Sequence, residues 1–136
     1  MKITFLTLLL AFLMTGCFNN EPPKCSDESV HVTLQDVYLQ VLDNINDSGN
    51  PFLAGFSKNL PQNLMSLSSV RAVSYDEAVL LRSCKADALF DNGETVGINY
   101  TVQANEENSD EFYVELETEF LEGMMQKSMM QGIFNK

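Results

Sequence analysis

Residues 80–102 constrain the fold most, because they have the pattern of two strands joined by a tight turn. Apolar and polar side chains alternate on both sides of Asp91-Asn92-Gly93. This period of two is typical of strands with one buried face, and Asn and Gly tolerate the positive φ angles of a hairpin turn. The stretch therefore predicts an antiparallel hairpin at the centre of the fold. Its inward positions are Leu80, Cys84, Ala86, Ala88 and Phe90 before the turn and Val96, Ile98, Tyr100, Val102 and Ala104 after it.

The residues before the hairpin predict one long helix and one short helix. Apolar side chains recur every three or four positions from Val30 to Ile45, and Ser26 is expected to cap this helix. The run of turn-forming residues over 46–51 ends it. A proline in the first turn then predicts a second helix over 51–58.

Two further strands are predicted, one on each side of the hairpin. In residues 64–75, Val70, Ala72 and Ser74 are expected to alternate with their neighbours, and residues 111–117 alternate in the same way. Four consecutive strands with short connections favour an antiparallel meander. The predicted fold class is α+β: a long N-terminal helix packed on a four-stranded antiparallel meander, plus a C-terminal helix.

Residues 1–16 have the pattern of a secretory signal peptide, with one positive charge at Lys2 followed by an apolar run too short for an ordinary membrane span. The run closes with Leu13-Met14-Thr15-Gly16-Cys17, which resembles the lipobox of bacterial lipoproteins. In that family the cysteine is the first mature residue and carries fatty acids such as palmitate. The alternative is an ordinary cleaved signal peptide.

The lipobox resemblance implies a lipid anchor at Cys17 and a tether over 17–24, extended by two prolines. By similarity to enterobacterial sorting, Phe18 after the anchor points to the outer membrane. The expected location is the bacterial cell envelope, facing the periplasm or the surface. The expected organisation is a signal peptide (1–16), the anchor and tether (17–24), a helix-on-sheet domain (25–117) and a Met-rich helical tail (118–136).

Three cysteines occur in the chain, and the lipobox accounts for Cys17. Cys25 and Cys84 then remain as a pair in an oxidising compartment, so we expect a disulfide between them. The alternatives are two reduced thiols or a metal site. A zinc site would need further ligands, and the only histidine is His31.

The charge of the chain limits its partners. Asp and Glu number 19 against 8 Lys and Arg, a net charge of −11. Such a balance disfavours nucleic acid and anionic lipid headgroups and favours a basic partner or a solvated acidic surface. The pattern also predicts no enzyme, because it contains no nucleophile with a base beside it, no phosphate loop and no cofactor or metal motif.

The tail is rich in methionine at near-helical spacing. Methionine adapts to irregular partners, so Met124, Met125, Met129 and Met130 are a candidate partner surface. The alternative is a terminal helix folded onto the sheet of its own domain, since apolar stripes at helical spacing are usually core.

The anchor, the cysteine before a long helix and the Ser83-Cys84-Lys85 strand together resemble those of small proteobacterial lipoproteins, and the outline is similar to cystatin-like or NTF2-like helix-on-sheet domains. The anchor, the acidic surface and the lack of a catalytic grouping favour a noncatalytic envelope lipoprotein whose sheet or Met-rich tail binds another protein. Two alternatives remain. The first is an inhibitor or immunity-type protein against a basic enzyme such as a lysozyme. The second is a carrier of a small apolar ligand in a pocket lined by Phe90, Tyr100 and Phe112.

Overall fold

The computed structural model describes residues 21–108 and 110–134, and its architecture is the predicted α+β fold. The strands form one antiparallel sheet in the order β1-β2-β3-β4, which confirms the meander. The predicted signal peptide and Cys17 lie outside the described residues. The elements in chain order are α1 (Glu28–Asn46), α2 (Pro51–Ser57), β1 (Leu64–Asp76), β2 (Leu81–Phe90), β3 (Thr95–Ala104), β4 (Phe112–Leu116) and α3 (Glu119–Phe134).

The central hairpin pairs β2 with β3 without interruption, from Leu81 opposite Gln103 to Leu89 opposite Thr95. Gly93 in the turn has a φ of +85°, a conformation that glycine adopts without steric cost. The inward positions from Cys84 to Phe90 and from Ile98 to Ala104 are buried, as the alternation predicts. This face of the hairpin is the floor of the core.

Helix α1 lies across the inner face of the sheet, since it contacts both edge strands, β1 and β4. Its buried stripe is Val30, Leu34, Tyr38 and Leu42. The prediction that Ser26 caps this helix is wrong by one residue. Asp27 has the extended backbone of a cap, and its carboxylate accepts a hydrogen bond from Ser29 N at 2.9 Å. Hydrogen bonds from Ser29 lower the pKa of Asp27, because they stabilise the ionised carboxylate.

Strand β1 departs from the predicted alternation. Its register against β2 shifts three times, and each shift places one extra residue in β1. The half-buried and buried positions at its start therefore recur every three residues, at Leu64, Leu67 and Val70. Met65 and Val73 lie at two of the shifts and are 55% and 56% exposed. The alternation expected of Val70, Ala72 and Ser74 fails because a bulge reverses which face the following residues occupy.

A disulfide joins Cys25, three residues before α1, to Cys84 in the middle of β2, as the cysteine count predicts. The phenol of Tyr100, on the neighbouring strand, donates a hydrogen bond to the Cys25 carbonyl at 2.8 Å. Burial raises the pKa of Tyr100 to about 12. Covalent and hydrogen bonds therefore hold the start of α1 against two adjacent strands.

Tyr38 ties the middle of α1 to the loop before β1, since its hydroxyl donates to the Pro61 carbonyl at 2.6 Å. Burial and, secondarily, the charge of Asp91 raise the pKa of this phenol. The Tyr38 ring lies 5.1 Å from that of Phe90, and Phe120 of α3 stacks on Phe90 with centroids 6.2 Å apart. An aromatic cluster therefore joins α1, the sheet and α3 in one core.

Candidate functional site

The neighbouring strands β3 and β4 differ in length, and this difference leaves part of β3 without a partner strand. β3 has 10 residues and β4 has 5. β4 pairs with β3 from Tyr100, opposite Leu116, to Ala104, opposite Phe112. The chain then leaves the sheet: Glu117 N donates to Asn99 O at 3.0 Å, and Thr118 accepts the first bond of the turn into α3. Residues 95–98 thus have no strand beside them within the described chain.

Helix α3 runs alongside this open segment and forms a groove with it, which we call the β3–α3 groove. The volume of the groove is about 350 Å³. Its apolar surface comes from Val96 on the strand and from Phe120 and Met124 on the helix. The complete lining is Glu94, Thr95, Val96, Gly97, Phe120, Gly123, Met124 and Lys127.

Each wall of the groove has a glycine, Gly97 on the strand and Gly123 on the helix. A Cβ built at either position would meet no described atom within 4 Å. The space beside both backbones is therefore open. Glycine also lets another backbone approach closely, which is a common reason for its presence within a strand.

The charges around the groove are mostly negative. Lys127 forms an ion pair with Glu94 at 3.4 Å, while Glu117 and Glu119 are exposed. An exposed ion pair stabilises by only about 0–1 kcal/mol, so Lys127 can move away from Glu94 at small cost. The lining therefore carries one weakly held ion pair, and the exposed carboxylates of Glu117 and Glu119 lie next to it in the chain.

The methionines of the predicted partner surface have different environments. Met124 is only 6% exposed, because it packs in the core, and it also contributes to the apolar lining of the groove. Met125 is half-buried against the core, and Met130 is 58% exposed. Met130 follows Gly123 by seven residues, so it lies on the same face of α3 as the groove. The Met129 side chain lies outside the described part of the chain.

The tail thus packs on its own domain at its start and exposes methionine further along. Leu121 and Met124 are buried in the core, which favours the alternative of a docked terminal helix for the first turns of α3. The groove-facing stripe continues to Met130. A partner in the groove would therefore contact Met130 together with Phe120 and Met124, because these residues lie on the groove side of α3.

The aromatic residues expected to line a ligand pocket are used for packing instead. Phe90 and Tyr100 are each 1% exposed, and their side chains contact the aromatic cluster and the Cys25 carbonyl. Phe112 is half-buried against the core. They therefore do not line an open pocket between helix and sheet.

Metal-binding groups are not clustered within the described residues. No three His, Cys, Asp or Glu side chains there lie close enough together to hold an ion. The polar stretch after Asp43 is the end of α1, with Asp47 as its C-terminal cap and Gly49 at a φ of +75°. In the described ranges, no helix has the combination of length and apolar character needed to span a bilayer.

The groove was not expected from the sequence, although one signal was present. The last strand pattern, at residues 111–117, is shorter than that of the strand before it, and a mismatch of this kind leaves part of the longer strand unpaired. The chain matches no protein-family model, and comparisons with curated proteins and with solved structures also find no match. The geometry of the groove therefore carries the functional argument.

Proposed function

We propose that this chain is a noncatalytic envelope lipoprotein that acts as a protein-binding module and binds its partner in the β3–α3 groove. The observation that carries the proposal is the unpaired segment at residues 95–98 next to an apolar, glycine-walled groove. Exposed sheet edges of this kind bind extended segments of other proteins through main-chain hydrogen bonds.

The envelope location is supported by the Cys25–Cys84 disulfide, because disulfides persist in oxidising compartments such as the periplasm. Acylation of Cys17 is part of the proposal. Cys25 is eight positions after Cys17, so a fully extended tether would hold the domain within about 30 Å of the membrane. A Cys17→Ser variant should lose labelled palmitate and leave the membrane fraction, and retention of both would contradict the lipid anchor.

Three described residues with shifted pKa values have structural roles. They are Asp27, Tyr38 and Tyr100. Asp27 caps a helix and the two phenols hold the core together. Their shifts have structural causes, so they give no reason to place an acid or base in the groove.

The binding function can be tested in cells by site-specific photocrosslinking. A photoreactive amino acid at Thr95 or Met130 should form adducts with an envelope protein, because Thr95 lines the groove and Met130 lies beyond it on the same face of α3. The matched control is the same amino acid at Gly55 of α2, which is exposed and does not line the groove. A Gly123→Leu substitution should abolish the adducts by filling the groove. Equal adduct yields at Thr95, Met130 and Gly55 would refute the proposal.

An inhibitor of a basic enzyme such as a lysozyme is the second candidate, and the net charge of −11 favours it. Electrostatic complementarity would raise the association rate, and salt would weaken the complex. Inhibition of lysozyme that disappears at high salt would support this candidate. No inhibition at low salt would remove it. The hypothesis of a small-ligand carrier receives no comparable support, because the side chains of Phe90 and Tyr100 are buried in core contacts.

A further inference from the structure

The direction of the backbone groups in β3 shows what the groove can bind. Hydrogen bonds from Phe90 N to Glu94 O and from Ala104 N to Leu80 O place the bonds to β2 on even-numbered residues of β3. Bonds to the other side fall on odd-numbered residues, as Glu117 N to Asn99 O shows. In an antiparallel strand the two sets alternate strictly.

The backbone N–H and C=O groups of Thr95 and Gly97 therefore point into the groove, where β4 has already ended. Both residues are exposed, so water solvates these groups in the isolated chain. A strand bound there would take the place of water and extend the line of β4. This arrangement selects an extended main chain, because a helix or a compact ligand cannot offer alternating donors and acceptors at strand spacing.

The walls of the groove define the side chains of such a strand. One face of it would lie over Phe120 and Met124, which favours apolar residues at alternate positions. The opposite face would lie in solvent, next to the exposed Glu117 where the bound strand meets the end of β4, which favours basic residues. A second copy of this chain is disfavoured as the occupant, because both copies would carry a net charge of −11.

We infer that the β3–α3 groove binds an extended segment of a partner protein in which basic and apolar residues alternate, as a strand antiparallel to residues 95–98. This inference rests on the proposed function and narrows it to one class of partner. The main-chain bonds supply affinity, while the apolar floor and the surrounding carboxylates supply selectivity.

The test uses the full chain, purified in detergent, and the peptide acetyl-Lys-Val-Lys-Val-Lys-Val amide as the probe. Binding should slow amide hydrogen exchange at Thr95 and Gly97 by about tenfold or more, because these N–H groups become hydrogen-bonded. Exchange at Thr101, which already pairs with β4 opposite Glu115, should not change. A peptide with Glu in place of Lys should bind at least about tenfold more weakly.

Two pairs of variants separate binding from folding. Gly97→Pro removes one N–H that points into the groove without affecting the bonds to β2, and it should weaken binding about tenfold. Gly97→Ala retains this N–H and should bind nearly normally. Gly123→Leu should abolish binding, while Gly55→Leu, at another open helical glycine, should not. Urea unfolding of each variant shows whether it is folded.

The outcomes distinguish this inference from the proposed function. Groove crosslinks in cells together with no protection by the peptide would overturn the basic-strand class and leave the binding function intact. Equal binding of the Glu and Lys peptides would overturn the charge selection. Protection of Thr95 and Gly97 that depends on the concentration of the chain itself would overturn the partner in favour of a second copy.

Discussion

Removal of the disulfide should destabilise this domain more than removal of any single hydrogen bond would. The perturbation is the double variant Cys25→Ala/Cys84→Ala, which opens a loop whose ends are 59 residues apart. Both cysteines are buried, at 5% and 2% exposure, so alanine fits the space without introducing a polar group. The main effect therefore comes from the unfolded chain, which gains conformational freedom when the crosslink is absent.

The magnitude follows from the loop length. In the chain-entropy model, a loop of this size removes about 14 cal/mol/K from the unfolded chain, or about 4 kcal/mol at 25 °C. Small domains have a total stability of roughly 5–15 kcal/mol, so the loss is a large share of it. The hydrogen bond from Tyr100 to the Cys25 carbonyl remains possible in the variant, but it then has to order the free N-terminal segment.

Urea unfolding followed by circular dichroism measures the effect. With a slope of about 1–2 kcal/mol/M, the midpoint should fall by about 2–4 M. Wild-type protein treated with a thiol reductant is the matched control and should have the same midpoint as the double variant. A midpoint within about 0.5 M of the oxidised protein would refute the entropic reasoning.

Three further predictions concern the contacts that hold the helices and loops to the sheet. Tyr100→Phe should lower the free energy of unfolding by about 1 kcal/mol below pH 10. The pKa of Tyr100 is raised from 10.0 to about 12 in the folded protein, so its contribution to the free energy of unfolding is complete below pH 10 and is lost as the pH rises to 12. Urea unfolding should therefore show a shallower decline in stability for the variant over that range. Asp91→Ala removes the acceptor of hydrogen bonds from Gln62 N and from Asn63 N and Nδ2, each at 3.1 Å, and should speed amide exchange at both residues while costing about 1–2 kcal/mol; unchanged exchange would contradict it. Phe120→Ala should lower the free energy of unfolding by about 2 kcal/mol and expose α3 to limited proteolysis. The control Phe52→Ala, at a side chain that is 64% exposed, should have little effect. Equal cleavage of the two variants would show that Phe120 does not hold the helix.

Local periodicity was sufficient to predict most of this fold. The central hairpin and α1 follow repeating patterns within short windows, so their inward residues could be identified before the structure was known. The disulfide was expected from the number of cysteines and from the compartment that the lipobox resemblance implies. The cap of α1 was misplaced by one residue because Ser26 and Asp27 are both good caps, and backbone geometry chooses between them.

The irregular strand and the groove could not be predicted in the same way. In β1 each bulge depends on pairing with β2, so it has no period within its own residues. The groove requires the end of β4, the start of α3 and the packing of Phe120 on Phe90, which are separated along the chain. Met124 and Met130 look alike in the sequence, and only the position of α3 determines that one is core and the other exposed.

The three register shifts in β1 bear on how this protein avoids aggregation. β1 is an outer strand of 13 residues, long enough to serve as a template for another chain. A regular strand laid along it would fall out of step at each shift, because the spacing of free donors and acceptors changes there. Copies at high concentration would therefore pair poorly through β1, even though Met65 and Val73 are exposed on it.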